Sequence, residues 1–323
     1  MRVLVTGGAG YVGSVVSRRL LSHGHGVRVL DTLMYGGASL LGLSHNEGFS
    51  FVRGDLRSAD VVAAALEGME AVVHLAAIVG DPACARQPAL ARAINQEASL
   101  QLFERCRRRG IQRFVFASTC SNYGRMADPS SYLTEESELR PVSLYAETKV
   151  AVERSLLDAA REPHPAVTIL RFATAFGLSP RMRFDLTVNE FTMELLTKRT
   201  VTIYGEQFWR PYVHVVDIAE AVRLALEAAP ALVHGQAFNV GDTTQNYQKG
   251  RLAELIRTQI GDPCQIERVQ KAEDPRDYRV RFDKVARTLG FRITRPVEAG
   301  VREIIEAITQ GIITDVEDAR YRN

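Results

Sequence analysis

Histidine, cysteine and tryptophan are all scarce in this chain. Its 323 residues hold seven histidines, four cysteines and one tryptophan. Cys84, Cys106, Cys120 and Cys264 lie far apart with no C-x-x-C pair. That spacing gives neither a disulfide framework nor a metal site. An excess of one charge is missing too, since the formal net charge is only +2. Nucleic-acid binders concentrate basic residues on one face, so no nucleic-acid partner is expected. The single basic run, Arg105 to Arg109 around Cys106, closes a predicted helix before Gly110. Positive charge suits that end of a helix dipole. No apolar run reaches membrane-spanning length, and a strand pattern begins at residue 2, where a secretory leader would have to sit. The expectation is a reduced, cytoplasmic protein with no membrane partner.

What the chain does have is alternation. Hydrophobic residues make up 46% of it, enough for a sizeable core. Strands are predicted at 49–53, 71–75, 113–118 and 167–172, separated by helical patterns at 59–66, 89–109 and from Ser143 onward. Alternation of this kind marks an α/β fold, a doubly wound parallel sheet with helices on both faces. The rhythm breaks after Gly177. Helices are then expected near 186–197, 215–227 and 250–260, with one strand near 237–240 returning to the sheet. The reading is a Rossmann-type cofactor unit over 1–174 and a smaller C-terminal substrate lobe made mainly of 175–323.

The organising stretch is Val3-Leu4-Val5-Thr6-Gly7-Gly8-Ala9-Gly10-Tyr11-Val12-Gly13. A strand runs into a glycine turn, and Val12, Val15, Val16, Leu20 and Leu21 then recur at helical spacing. Gly7 permits a backbone angle denied to side chains. Gly10 lets the main chain approach a pyrophosphate, and Gly13 lets the helix pack closely. The N–H groups opening the helix, at Tyr11 and Val12, face the phosphates. The next strand, Val27-Arg28-Val29-Leu30-Asp31, ends in an acid. Asp31 accepts hydrogen bonds from ribose hydroxyls and repels a 2′-phosphate, which selects NAD over NADP. Leu75, Ala76 and Ala77 follow the fourth strand, and the small side chains there let a cofactor come close to the backbone.

Tyr145-Ala146-Glu147-Thr148-Lys149 sets a tyrosine and a lysine on one helix face. An ammonium beside a phenol favours the phenolate and brings it toward acid/base use near neutrality. The same lysine can reach ribose hydroxyls. The preceding strand ends in Ser118-Thr119-Cys120-Ser121, which supplies a hydroxyl at the sheet edge.

At these motifs the chain resembles the extended short-chain dehydrogenase/reductase family, in its nucleotide-sugar epimerase/dehydratase group. The matching stretches are GGAGYVG, Asp31, GDL at 54–56, HLAA at 74–77, STCSNYG at 118–124, YAETK at 145–149, LRFATAFG at 170–177 and WRPYVHVVD at 209–217. The resemblance implies catalytic roles for Thr119, Tyr145 and Lys149. It places Asp55, Leu56 and Phe172 with the cofactor, and Asn189, Arg210 and Tyr212 with a nucleotide-diphosphate sugar. Arg181, Arg183 and Arg276 are further phosphate candidates. The family's usual assembly implies a homodimer through the two long helices, with Leu100, Phe103, Val152 and Leu156 available as an outer face.

Two departures stand out. The 4,6-dehydratases of the group carry Asp-Glu after the catalytic threonine, where this chain has Cys120 and Ser121. Many relatives have asparagine at the position of Thr174, a substrate contact. Cys120 is either a thiol acting on carbon beside a carbonyl or small buried packing material. His214, in an alternating strand, reads as structural, and Trp209 as cleft lining or core. The implied activity is an NAD-dependent epimerase that transiently oxidises a sugar hydroxyl, most simply at C4. Alternatives are a reductase or non-standard dehydratase on the same fold, or a cofactor- or RNA-binding relative that has lost its chemistry.

Overall fold

The computed structural model describes every residue except 127, 129, 130, 262 and 272–275. Its strands are β1 (Arg2–Thr6), β2 (Gly26–Asp31), β3 (Phe49–Arg53), β4 (Ala71–His74), β5 (Arg113–Thr119), β6 (Ala166–Phe172), β7 (Thr174–Phe176), β8 (Thr200–Tyr204), β9 (Trp209–His214), β10 (Gln236–Val240), β11 (Asn246–Gln248) and β12 (Gln265–Val269). Seven of them form a parallel sheet in the order β3-β2-β1-β4-β5-β6-β10. The strand expected to return near 237–240 does so, pairing Phe238 with Leu170. The order in which strands are added reverses between β1 and β4, and ligands of such sheets bind beyond the strand ends at that switch point.

Valine-rich central strands are buried on both faces, which explains their unbroken apolar runs. Successive side chains go to opposite sides. Val3, Val5, Val29 and Val73 meet the helices Tyr11–Ser22 and Val215–Glu227. Leu4, Leu30, Val72, Phe114 and Phe116 meet Ala59–Leu66, Ser99–Arg108 and Leu144–Ala159. Burial of each such aliphatic or aromatic side chain contributes roughly 1.5–3 kcal/mol.

This packing corrects the expected outer face. Phe103, Val152 and Leu156 are buried against the sheet, and Leu100 packs on the same cluster. Each helix has one apolar stripe, and the sheet claims it. The side facing away carries Gln101, Glu104, Arg154 and Ser155. The long helix predicted at 89–109 is present as one unbroken helical run with a change of winding inside it. It runs as Pro88–Arg92, a π-helical turn at Ala93–Ala98, then Ser99–Arg108.

After β7 the chain builds two short sheets, β11-β9-β7 and β12-β8. The helices Thr187–Thr197, Lys249–Ile260 and Val297–Thr309 cover them around Val188, Leu252 and Val301. His214 is structural, as expected. Its Nδ1 accepts from Val216 N–H at 3.2 Å, capping a helix, and its Nε2 pairs with Glu303 at 2.6 Å. All four cysteines are free. Among the described residues no helix is long and apolar enough to cross a membrane.

Candidate active site

A cavity of about 850 Å³ opens at the C-terminal edge of the parallel sheet. Gly7, Gly10 and Gly13 form one end of it. Gly7 has φ 72°, and a Cβ there would stand 2.7 Å from Ala76 Cα. A Cβ on Gly13 would stand 2.1 Å from the Gly7 carbonyl oxygen. Side chains are therefore excluded from the turn, and the opening N–H groups of the helix at Tyr11 and Val12 are left for a ligand. Asp31 lines the same end. Its carboxylate accepts from Ala9 N–H at 3.0 Å and Leu33 N–H at 2.8 Å, which fixes it beside the glycine turn with lone pairs to spare. Leu56, Leu75, Ala76, Ala77 and Phe172 complete the wall. Asp55 is there too, clamped by Arg57 at 2.7 and 3.0 Å, which holds its carboxyl below the usual range. A glycine cradle with an acid at the next strand end fits a dinucleotide with free ribose hydroxyls, so these residues suit NAD.

The floor of this end is wired by neutral groups. Thr6 accepts from Ala76 N–H at 3.3 Å and meets His74 Nδ1 at 2.7 Å. His74 Nε2 meets the Ser99 hydroxyl at 2.8 Å, and that hydroxyl donates to the Asn95 carbonyl at 2.8 Å. Burial drives the His74 pKa down to about 3, so the ring is uncharged. Asn95 stands in the π-turn and holds Ile78 by both main-chain groups, at 2.8 and 2.9 Å. Ile78 lines the cavity, so the irregular turn shapes the site, as π-turns often do.

Tyr145, Lys149 and Thr119 come together beyond the cradle. Ser143 caps the helix by accepting from Ala146 N–H at 3.3 Å, which sets Tyr145 in the first turn. Lys149 donates to the Ala117 carbonyl at 2.8 Å, with Nζ 4.7 Å from the Phe116 ring centroid and 6.0 Å from that of Tyr145. Burial lowers the Lys149 pKa to about 8. Thr119 accepts from Ser121 N–H at 3.1 Å and keeps its own hydroxyl proton for the cavity. One expectation changes here. Desolvation, with Cys84 second, raises the Tyr145 phenol above its ordinary value. Lys149 is directed at the Ala117 carbonyl, so the lysine does not lower the phenol in the protein alone.

Arg210, Arg276, Arg181 and Arg183 also line the cavity, as does Thr174. Arg210 lies with Cζ 5.6 Å from the Tyr278 ring centroid. Arg276 pairs with Asp81 at 3.1 Å, and Arg183 forks onto Asp185 at 2.7 and 2.9 Å. Guanidinium groups lining a cavity suit diphosphates.

Other assigned residues point elsewhere. Cys120 starts the 3₁₀ turn Cys120–Tyr123, which rolls its side chain beneath the floor. It is 1% exposed and its thiol donates to the Arg171 carbonyl at 3.2 Å. Burial pushes the thiol pKa up, the reverse of a reactive cysteine. Asn189 is fully committed: its amide nitrogen donates to the Arg183 carbonyl at 2.9 Å and Tyr11 Oη at 3.3 Å, and its oxygen accepts from Gly177 N–H at 2.9 Å. Tyr11 itself sends its phenol away from the cavity, donating to the Gly177 carbonyl at 2.7 Å, so only its backbone serves the cradle. Tyr212 is buried with Phe176, Val188 and Tyr247. Trp209 sits against the core, 4.9 Å from the Arg279 guanidinium. Sequence reasoning missed Tyr35, Asp81, Lys249 and Tyr278 on the cavity wall. Ser121 was visible at the strand end, and its hydroxyl meets Tyr278 Oη at 3.4 Å. Tyr278 lies in an irregular segment with no periodicity to flag it.

Comparison with known proteins agrees with this geometry. The model of the NAD dependent epimerase/dehydratase family matches residues 3–241. The chain belongs to that family. It is 30% identical to the UDP-glucose 4-epimerase of Corynebacterium glutamicum, across 95% of this chain and 94% of the relative. It is also 30% identical to a dTDP-glucose 4,6-dehydratase of Streptomyces niveus, across 95% and 92%. The crystal structure of the Thermotoga maritima UDP-glucose 4-epimerase with UDP-glucose superposes with a TM-score of 0.86 at 28% identity, covering 97% of this chain and 100% of that one. The protein is therefore an NAD-dependent enzyme of the nucleotide-sugar epimerase/dehydratase type.

Proposed function

We propose that the enzyme is a nucleotide-sugar 4-epimerase. One observation carries this reading: Tyr145 stands beside Thr119 and Lys149 on the cavity wall, while among the described residues every side-chain carboxylate lining the cavity is held by an arginine or by main-chain N–H groups. Cys120 is under the floor. Asp55, Asp81 and Asp185 are held by arginines, and Asp31 by two main-chain N–H groups. A reaction confined to one hydroxyl needs no more. Tyr145 takes the hydroxyl proton and later returns it, and Thr119 orients the same oxygen with its free O–H. Lys149 stays beside the ring as its cationic neighbour. NAD would be held by the Gly7, Gly10 and Gly13 turn and Asp31, and would supply reversible hydride transfer at the sugar carbon. Arg210 and Arg276 hold the diphosphate of the substrate, and residues from about 175 onward act mainly as the sugar-nucleotide lobe.

The test is to incubate the enzyme with a panel of nucleotide sugars in deuterated water and read the products by NMR. The expected product is inverted at one carbon and carries no solvent deuterium on carbon. Deuterium on carbon, or loss of water, would favour the dehydratase alternative. Cys120→Ser should leave turnover within about tenfold, a barrier change of about 1.4 kcal/mol, because the thiol turns from the cavity to the Arg171 carbonyl and the buried Asn239 amide oxygen. A homodimer through the long helices is expected. Its contact would be the polar side bearing Gln101, Glu104 and Arg154, and a light-scattering mass of one chain would refute it.

A further inference from the structure

Arg181 has no part in the mechanism above. It lies in the stretch that leaves β7 for the mouth of the cavity. Ser179, just before it, ties this stretch to the helix that opens the glycine cradle. The Ser179 hydroxyl donates to the Tyr11 carbonyl at 2.7 Å and meets the Ser14 hydroxyl at 3.2 Å. Arg181 is thereby delivered to the cofactor end. Its guanidinium stacks on Tyr35, shortly beyond Asp31, with Cζ 4.1 Å from the ring centroid.

The side chain is only 6% exposed yet lines the cavity, and its Nε is buried without a hydrogen-bond partner. Nη2 donates to Asn323 Oδ1 at 2.7 Å and to the Arg322 carbonyl at 3.2 Å. Among the described residues no carboxylate pairs with it, because the nearby Asp185 is taken by Arg183. Burial and the Arg183 charge lower its pKa to about 10, which still leaves it cationic at neutral pH. A buried cation without an anion is costly to keep, and a guanidinium fork matches phosphate oxygens.

We propose that Arg181 is a ligand for the diphosphate of the bound dinucleotide, supplied from the second half of the chain and held in position by Tyr35 and the 322–323 tail. A nucleotide sugar carries the same diphosphate chemistry. The tie to Tyr11 and Ser14 and the stacking on Tyr35 favour the cofactor, whereas Arg210 and Arg276 adjoin Tyr278 and Asp81. The inference rests on NAD as the cofactor.

The experiment titrates NAD, adenosine diphosphate ribose, adenosine and UDP into the full-length, ligand-stripped protein by calorimetry. Arg181→Gln should weaken NAD and adenosine diphosphate ribose by about tenfold or more, the scale of a lost charge-assisted contact. Adenosine and UDP should bind within about twofold of the wild type. An unchanged NAD affinity, or a loss confined to UDP, overturns the proposal. Arg181→Lys keeps the charge and stem as a folding-safe companion. One ammonium cannot stack on Tyr35 and reach both tail and phosphate, so its NAD affinity should fall severalfold. Should only the Lys variant fold, an NAD affinity equal to the wild type overturns the proposal in the same way. If the wild-type protein bound no NAD, the cofactor assignment itself would fail, a different outcome from a neutral Arg181 substitution.

Discussion

Tyr145→Phe should lower turnover by about two to four orders of magnitude, the usual contribution of a positioned proton-transfer group. The change removes only the phenolic oxygen. The ring still packs in the first turn of the helix, so affinities for NAD and nucleotide sugar should stay close to those of the wild type. Steady-state rates combined with calorimetric binding test this, and retained turnover in a folded variant would remove Tyr145 from the chemistry. Because burial raises the phenol in the protein alone, the ionised form has to be favoured by what binds beside it. Lys149→Met should be at least as damaging, since it removes the cationic neighbour from the ring.

The second large effect is on stability. Glu153 lies one helical turn beyond Lys149 and its side chain is fully buried. It accepts from Arg171 Nε at 3.0 Å and pairs with Arg171 Nη2. It also accepts from the Ser118 hydroxyl at 2.7 Å and the Asn122 amide at 3.4 Å. Arg171 in turn donates to Tyr123 Oη at 2.8 Å and the Glu135 carbonyl at 3.2 Å. The network joins the helix bearing Tyr145 and Lys149 to the ends of β5 and β6. Glu153→Ala leaves the guanidinium buried without its anion and should cost about 3–5 kcal/mol. In a chain of this size that is a fall in Tm of about 4–7 degrees. Thermal unfolding by calorimetry measures it, and a Tm within about two degrees of the wild type would contradict the reading. Replacing Glu153 and Arg171 together with Leu and Met should restore part of the loss, because no lone charge remains.

The sheet and the cofactor end were legible because their signals are local. Gly7, Gly10 and Gly13 are required by backbone angle and close approach, and Asp31 by its place at a strand end. Tyr145 and Lys149 share a helix face by spacing alone. The errors fall where orientation depends on tertiary structure. Cys120 follows Thr119 directly, but the strand ends at Thr119 and a 3₁₀ turn starts at Cys120, so one side chain lines the cavity and the other lies beneath it. Asn189 is consumed by Tyr11 and the 177–183 backbone, partners distant in sequence. Tyr212 sits two residues from Arg210, but the helices over the short sheets enclose it. Phe103 and Val152, expected on an outer face of their two helices, pack on the sheet instead. Nothing in the local sequence of Ala93–Ala98 marks a π-turn, and the partner that Asn95 holds from it, Ile78, is distant in sequence.

The tail contacts at the cavity mouth carry a consequence for time. Asn323 reaches Arg181 on one side and the Val79 carbonyl on the other, the latter at 3.4 Å, while its own carbonyl accepts from Arg86 at 3.2 Å. The mouth is therefore fastened from both halves of the chain, and a molecule leaving past it must wait for several contacts to open together. A dehydrogenase that discharged its nicotinamide after every turnover would be throttled by such a latch. A catalyst that hands its hydride back within the same cycle has no such exchange to make. Its dinucleotide can stay resident through many turnovers, and the dwell time of the cofactor is uncoupled from the throughput of the sugar.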